Sequence, residues 1–231
     1  MQSRSIEIRS FDGKSFNAYL SLPPAGSGPG IVLIQEIFGV NRHIRAVADQ
    51  YAMDGYVVLA PDVFWRTEPG LDIGYGPEDV AKGKAMKQSL DFTLAAKDLA
   101  SVVATLRALP ECNGKVASLG YCMGGLLSYL CAVHAQVDAA VCYYPGGIEQ
   151  SMESAAQVTC PILFHFAGND PVIPDTAVQA VRNAFAGNGR VQIEVHPGVD
   201  HGFNCWARSA YNQKAAALAH GMTLSFLAGA L

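Results

Sequence analysis

The chain has 231 residues, 50% of them hydrophobic and 16% charged, with 23 glycines and 12 prolines. That length suits one domain of roughly 200–250 residues, able to bury about 70–75% of its unfolded surface without disulfide or metal, and the composition excludes disorder, collagen and coiled coil. Sixteen Lys and Arg against twenty Asp and Glu leave a net charge of −4, which speaks against nucleic-acid partners and polybasic membrane attachment.

Apolar runs such as Ile31–Ile34 and Tyr56–Ala60 are far shorter than the roughly 20 residues of a membrane helix. The opening "MQSRSIEIRSFDGKSF" lacks the apolar segment of a secretory signal. The six cysteines, Cys112, Cys122, Cys131, Cys142, Cys160 and Cys205, show neither C-x-x-C pairing nor zinc-type spacing. They read as reduced, mostly buried thiols of a cytoplasmic protein, with no metal and no cofactor expected.

The elements follow in order. Ser5–Arg9 and Phe16–Leu22 alternate around Asp12-Gly13, the signature of a hairpin. After the Pro23-Pro24 break, "IVLIQE" (31–36) is a continuous apolar run, as expected of a strand covered on both faces. Ile44, Val47, Ala48, Tyr51 and Ala52 recur at helical spacing between an Asn41 cap and a Gly55 stop. "YVVLAPD" (56–62) predicts another buried strand, and the Pro- and Gly-rich stretch 63–77 an excursion. Helices are predicted over 78–88 and 91–109. Then come strand 115–120, helix 124–135, strands 139–143 and 162–167, helix 175–186, strand 192–196 and helix 207–227. Strand–helix alternation along the chain implies an α/β fold: one domain over 1–231, a mostly parallel central sheet and helices on both faces. Functional residues in such sheets lie in loops beyond the C-terminal strand ends.

The sharpest signal there is "LGYCMGG" (119–125), a strand that ends in G-x-Cys-x-G and opens a helix. This is the nucleophile-elbow pattern with Cys122 in place of the commoner serine. The glycines let strand and helix approach closely, and the helix N-terminus favours a thiolate. The bland alternative is a structural cysteine in a Gly-rich turn. An elbow nucleophile calls for an acid and then a histidine, each after a later strand. Asp170, in "AGNDPVIP", and His201, in "GVDHGF", stand in that order. His196 lies within a strand pattern and is expected to be packed or paired there. Asp200, beside His201, should point away from the ring. Glu36, at the end of "IVLIQE", opens the loop that supplies one oxyanion amide, from Ile37; the second would come from Met123.

"QEIFG", "GYCMGG", "GNDPVIP" and "DHGF", with the N-terminal "SFDGKSF", resemble the dienelactone hydrolase (carboxymethylenebutenolidase) family of α/β-hydrolases, in the family's order and over nearly the whole chain. The resemblance implies Cys122 as nucleophile, His201 as base, Asp170 as its orienter and Glu36 as a carboxylate contacting the resting thiol. It also implies a sheet without a large cap domain. Members that cleave dienelactone hold the substrate carboxylate with arginines, one in the helix after the excursion and one soon after the histidine. This chain has Lys82 and Lys84 in the first region, and Cys205 with Arg208 three residues on in the second. A lysine lacks the arginine's bidentate fork, so a broader ester or lactone specificity is expected than for a dedicated dienelactone enzyme.

Candidate substrate-binding residues are Phe38, Tyr143 (with Tyr144 beside it), Phe203, Arg208 and Lys84; Trp65 and Trp206 are further candidate walls of an apolar site. The expected activity is hydrolysis of a small ester or lactone through a thioester on Cys122, by a monomer or weak homodimer. Two other readings stay open: a non-catalytic ligand-binding protein on this fold, and a thiol redox sensor using Cys122 with Cys205 as resolving partner.

Overall fold

The structure, a computed structural model, describes residues 2–231. Strands β1 (Gln2–Arg9) and β2 (Ser15–Leu22) form an antiparallel hairpin. Its turn is closed by Gly13 N–H to Ser10 O at 3.0 Å, with Gly13 at φ 84°, a backbone region that glycine enters without cost. Then follow β3 (Gly28–Ile34), α1 (Arg42–Met53), β4 (Val57–Pro61), α2 (Pro77–Ser89), α3 (Phe92–Ala108) and β5 (Cys112–Tyr121). The chain continues through α4 (Met123–His134), β6 (Ala139–Tyr143), β7 (Ile162–Ala167), α5 (Asp175–Ala184), β8 (Val191–His196) and α6 (Gln213–Ala230).

The eight strands run in the order β1-β2-β4-β3-β5-β6-β7-β8. β2 is antiparallel to β1 and β4, and the pairs from β4 onward are parallel. Every residue of β4, β6 and β7 is buried, which is why these segments read as unbroken apolar runs instead of alternating ones. β3 lies between β4 and β5: the chain passes from β3 to β4 on one side, then crosses back to β5 on the other and runs outward from there. This is the topological switch point at which open α/β sheets bind ligands, and the ends of β3 and β5 carry Glu36 and Cys122. The architecture is the expected α/β-hydrolase fold, with no separate large cap domain among the described residues.

The caps explain the helix starts. Asn41 Oδ1 accepts from Ile44 N at 3.1 Å to begin α1, and Asp91 Oδ1 accepts from Thr93 N and Leu94 N to begin α3. Three expectations need correction. The third strand ends at Ile34, so Gln35 and Glu36 already belong to the loop. The last helix begins at Gln213, not 207, because Asn212 caps it through Ala215 N and its own N–H is held by Phe203 O at 3.0 Å; 207–212 remain in turns. A 3₁₀ helix at Ile148–Gln157 occupies a stretch where no element was predicted. Only Ile148 and Ala155 of it are buried, too sparse an apolar stripe to declare a helix.

Candidate active site

Cys122 stands between β5 and α4 at φ 56°, ψ −115°, a strained conformation for a residue with a side chain. Its own N–H is held by Tyr143 O at 3.0 Å, and its carbonyl accepts from Gly125 N at 3.0 Å. The flanking glycines make the turn sterically feasible. A Cβ on Gly120 would collide with the carbonyl of Gly124, one on Gly124 with the carbonyls of Ile34 and Gln35, and one on Gly125 would lie 2.6 Å from Tyr143 O. The half-buried thiol is thereby lifted to the first turn of α4.

Asp170 and His201 stand in the loops after β7 and β8. Asp170 Oδ1 accepts from Val172 N at 2.8 Å and Ile173 N at 3.0 Å, which turns Oδ2 toward His201 Nδ1, 2.8 Å away. The loops that carry them are stitched together by Gly168 N to His196 O at 2.8 Å and Asn169 N to Val199 O at 3.0 Å. His201 Nε2 is buried and makes no full hydrogen bond, but it lies close enough to Cys122 for the sulfur to act on it. Burial opposes protonation of the ring; Cys122 and Asp170 together outweigh it and carry His201 up to about 10. Asp200 is exposed, and the carboxylate bonded to His201 Nδ1 is that of Asp170.

Glu36 and Arg208 complete the group. Arg208 Nη1 donates to Glu36 Oε1 at 3.0 Å, while Oε2 is buried without a partner. Burial pushes the Glu36 carboxyl up, against the pull of the Arg208 guanidinium and His201. Cys205 is 1% exposed beside Glu36 and Tyr75, and burial together with the Glu36 charge drives its thiol up to about 12. Met123 directly follows Cys122, and Ile37 lies two residues past Gln35, whose carbonyl crowds Gly124 of the elbow. No group of three or more His, Cys, Asp or Glu side chains suited to a metal occurs among the described residues.

Several sequence candidates sit elsewhere than predicted. Arg208 is engaged by Glu36 and the Phe38 ring (5.8 Å), so it is not a free cation at the mouth. Phe38 is buried against Tyr75. Tyr143, last in β6, points into the core and bonds Thr223 through its hydroxyl at 2.7 Å. The next residue, Tyr144, at φ 35°, is the one whose ring meets His201, 4.9 Å between centroids. Phe203 is buried behind it, against Tyr144 and His196. Trp65 stacks on Phe16 of the hairpin, and Trp206, 44% exposed, packs on His43.

Lys82 is paired with Glu68, and Lys84 is exposed on α2. α2 approaches the loop after β3 through Gly83, where a Cβ would stand 2.7 Å from Ile37 O. One turn on, Lys87 reaches the loop after β6, its Nζ 4.0 Å from where a Cβ on Gly146 would lie. A glycine inside a helix costs about 1 kcal/mol relative to alanine, and that oddity was the available sign of a close approach at Gly83.

An elbow at the switch point of a mostly parallel sheet, with acid and histidine on the two following strand ends, defines an α/β-hydrolase. The dienelactone hydrolase family profile matches residues 16–231. Carboxymethylenebutenolidases from Pseudomonas putida and Cupriavidus pinatubonensis are 36% and 31% identical to this chain, each alignment covering 99% of it and 97% of the relative. The crystal structure of a proposed dienelactone hydrolase from Klebsiella pneumoniae subsp. pneumoniae superposes with a TM-score of 0.86 at 26% identity, covering 99% of both chains. The chain belongs to the dienelactone hydrolase family.

Proposed function

We propose that the chain hydrolyses small carboxylic esters or lactones through a thioester on Cys122, with His201 as base and Asp170 as its orienter. The observation that carries this reading is the state of His201: Nδ1 is committed to Asp170 at 2.8 Å, and buried Nε2 has no other partner and lies near enough to Cys122 to feel its charge. The sulfur, giving its proton to the histidine, adds to the substrate carbonyl, and the amides of Ile37 and Met123 receive the oxyanion. The C–O bond breaks, the departing alkoxide takes the proton from His201, and an acyl thioester remains. His201 then deprotonates a water that adds to the thioester. The acid leaves, and the thiol is restored. A thiolate expels an alkoxide far better than an amine, so esters and lactones are favoured over peptides.

The carboxymethylenebutenolidase relatives support a lactone as one substrate class. Glu36, held by Arg208 instead of the thiol, sits where it adjusts the charge around Cys122 and His201. The redox reading is disfavoured by Cys205: a buried thiol raised to about 12 is a poor resolving nucleophile. The test is steady-state hydrolysis of p-nitrophenyl acetate and of a butenolide by the wild-type chain and Cys122→Ala. Turnover by the first and its loss in the second, with unchanged thermal midpoint, is expected. Turnover retained by Cys122→Ala would refute the nucleophile, and no turnover by either protein would favour a binding role.

A further inference from the structure

Beneath the site, four buried polar side chains form one hydrogen-bonded chain. His196 Nε2 and His165 Nδ1 are 3.0 Å apart, His165 Nε2 and Thr223 Oγ1 3.1 Å, and Thr223 Oγ1 and Tyr143 OH 2.7 Å. It runs from β8 through β7 to α6 and back to β6. The backbone carbonyls of three of its members each receive an amide from a loop of the site. Tyr143 O takes Cys122 N at 3.0 Å, His165 O takes Tyr144 N at 2.7 Å, and His196 O takes Gly168 N at 2.8 Å. Tyr144 packs on His201, and Gly168 stands two residues before Asp170. Side chains thus connect the residues whose main chains anchor the nucleophile, the ring behind the base and the acid loop.

Polar groups buried in an apolar core are costly unless every one is satisfied, and a satisfied network then permits one arrangement only. The single Thr223 proton can serve one neighbour while the oxygen accepts from the other, so with neutral histidines the donors run in one direction along the chain. Burial keeps both histidines neutral, His165 down at about 3. Packing alone would be met by apolar side chains of the same size.

We propose, on the reading that Cys122, His201 and Asp170 are the reacting groups, that this chain sets their mutual geometry, with Thr223 of α6 as the positioning residue that locks the ends of β6, β7 and β8 in register. Thr223→Val keeps the branched shape and leaves His165 Nε2 and Tyr143 OH unpaired, whereas Thr223→Ser keeps the hydroxyl. Tyr143→Phe deletes only the terminal oxygen. With p-nitrophenyl acetate, Thr223→Val is expected to lose kcat by about tenfold or more per folded molecule, with KM within about twofold of wild type, the size of loss seen when a hydrogen bond that orients a metal ligand from outside is removed. Thr223→Ser should restore kcat, and Tyr143→Phe should fall in the same direction by a smaller factor. The rate at which iodoacetamide alkylates Cys122, read by mass spectrometry, reports the same geometry without any ester. It should change with Thr223→Val and recover with Thr223→Ser.

Wild-type kcat and alkylation rate in both Thr223→Val and Tyr143→Phe overturn the proposal; if Thr223→Val fails to fold, Tyr143→Phe decides alone. A wild-type protein that is alkylated at Cys122 yet hydrolyses no ester counts against the functional reading, and the alkylation series still decides the positioning role.

Discussion

Arg208 and Glu36, 172 positions apart in the chain, meet through a 3.0 Å Nη1–Oε1 contact in which the carboxylate side chain is 2% exposed and the guanidinium 25%. The pair explains how a carboxyl group can stand beside the nucleophile loop in a nearly dry environment. It also removes from the mouth the one arginine that follows the histidine loop.

Replacing Arg208 by Met leaves Glu36 buried without its cation. Breaking a fully buried pair costs about 3–5 kcal/mol; with Arg208 partly solvated, about 2–3 kcal/mol is expected here by urea denaturation at neutral pH. With its cation gone, burial raises the folded-state pKa of Glu36 further above its unfolded value. A group shifted that way supports the fold below the unfolded pKa and loses that support as pH rises, so the deficit of Arg208→Met should widen from acid to neutral pH. A deficit constant with pH would show that Glu36 stays ionised without Arg208.

Asp170→Asn should lower kcat by about 10³-fold or more with little change in substrate affinity, because it removes the group that fixes the tautomer and stabilises the cation of His201. The stability profile should change as well. His201 is raised from 6.5 to about 10 in the folded chain. Its contribution is therefore complete below the unfolded pKa and is lost as pH rises through the folded one. In Asp170→Asn the fall over that alkaline range should be shallower, measured by urea midpoints across it.

Gly83→Ala offers a test that helix propensity alone would answer wrongly. Alanine in a helix interior is favoured by about 1 kcal/mol over glycine. A Cβ here, however, would meet Ile37 O at 2.7 Å and Ile37 Cγ1 at 2.9 Å. The variant should be less stable than wild type and, on the proposed role of the Ile37 amide, lower in kcat, because the loop after β3 must shift. A stabilised, fully active Gly83→Ala would show that α2 moves aside freely.

A preference for carboxylate-bearing substrates is expected to reside in Lys87, which is half-buried, reaches the loop after β6 and makes no ion pair among the described residues. Lys87→Met should reduce the kcat/KM ratio of a carboxylate-bearing lactone over its methyl ester, whereas Lys82→Met, already tied to Glu68, should not. In the wild type the ratio should fall as salt rises, since a half-buried ammonium is still partly screened over about 8–10 Å. A strong preference that survives high salt would point to a buried clamp instead.

The sequence by itself determined the fold class and the order of the candidate site residues along the chain. Buried parallel strands must be apolar throughout, and the elbow must be glycine-rich, so "YVVLAPD", "ILFHFA" and "LGYCMGG" announce their places from local composition alone. Asp170 and His201 were legible for the same reason: each closely follows a strand whose position its own residues fix. What lay outside the sequence were pairings between distant segments. That Arg208 turns to Glu36, that Tyr144 and not Tyr143 faces His201, and that Thr223 joins two histidines to a tyrosine depend on strand order, on a left-handed backbone at residue 144 and on where α6 crosses the sheet. No local pattern encodes these, because a side chain's partner is set by which elements the packed sheet brings within a hydrogen bond's length.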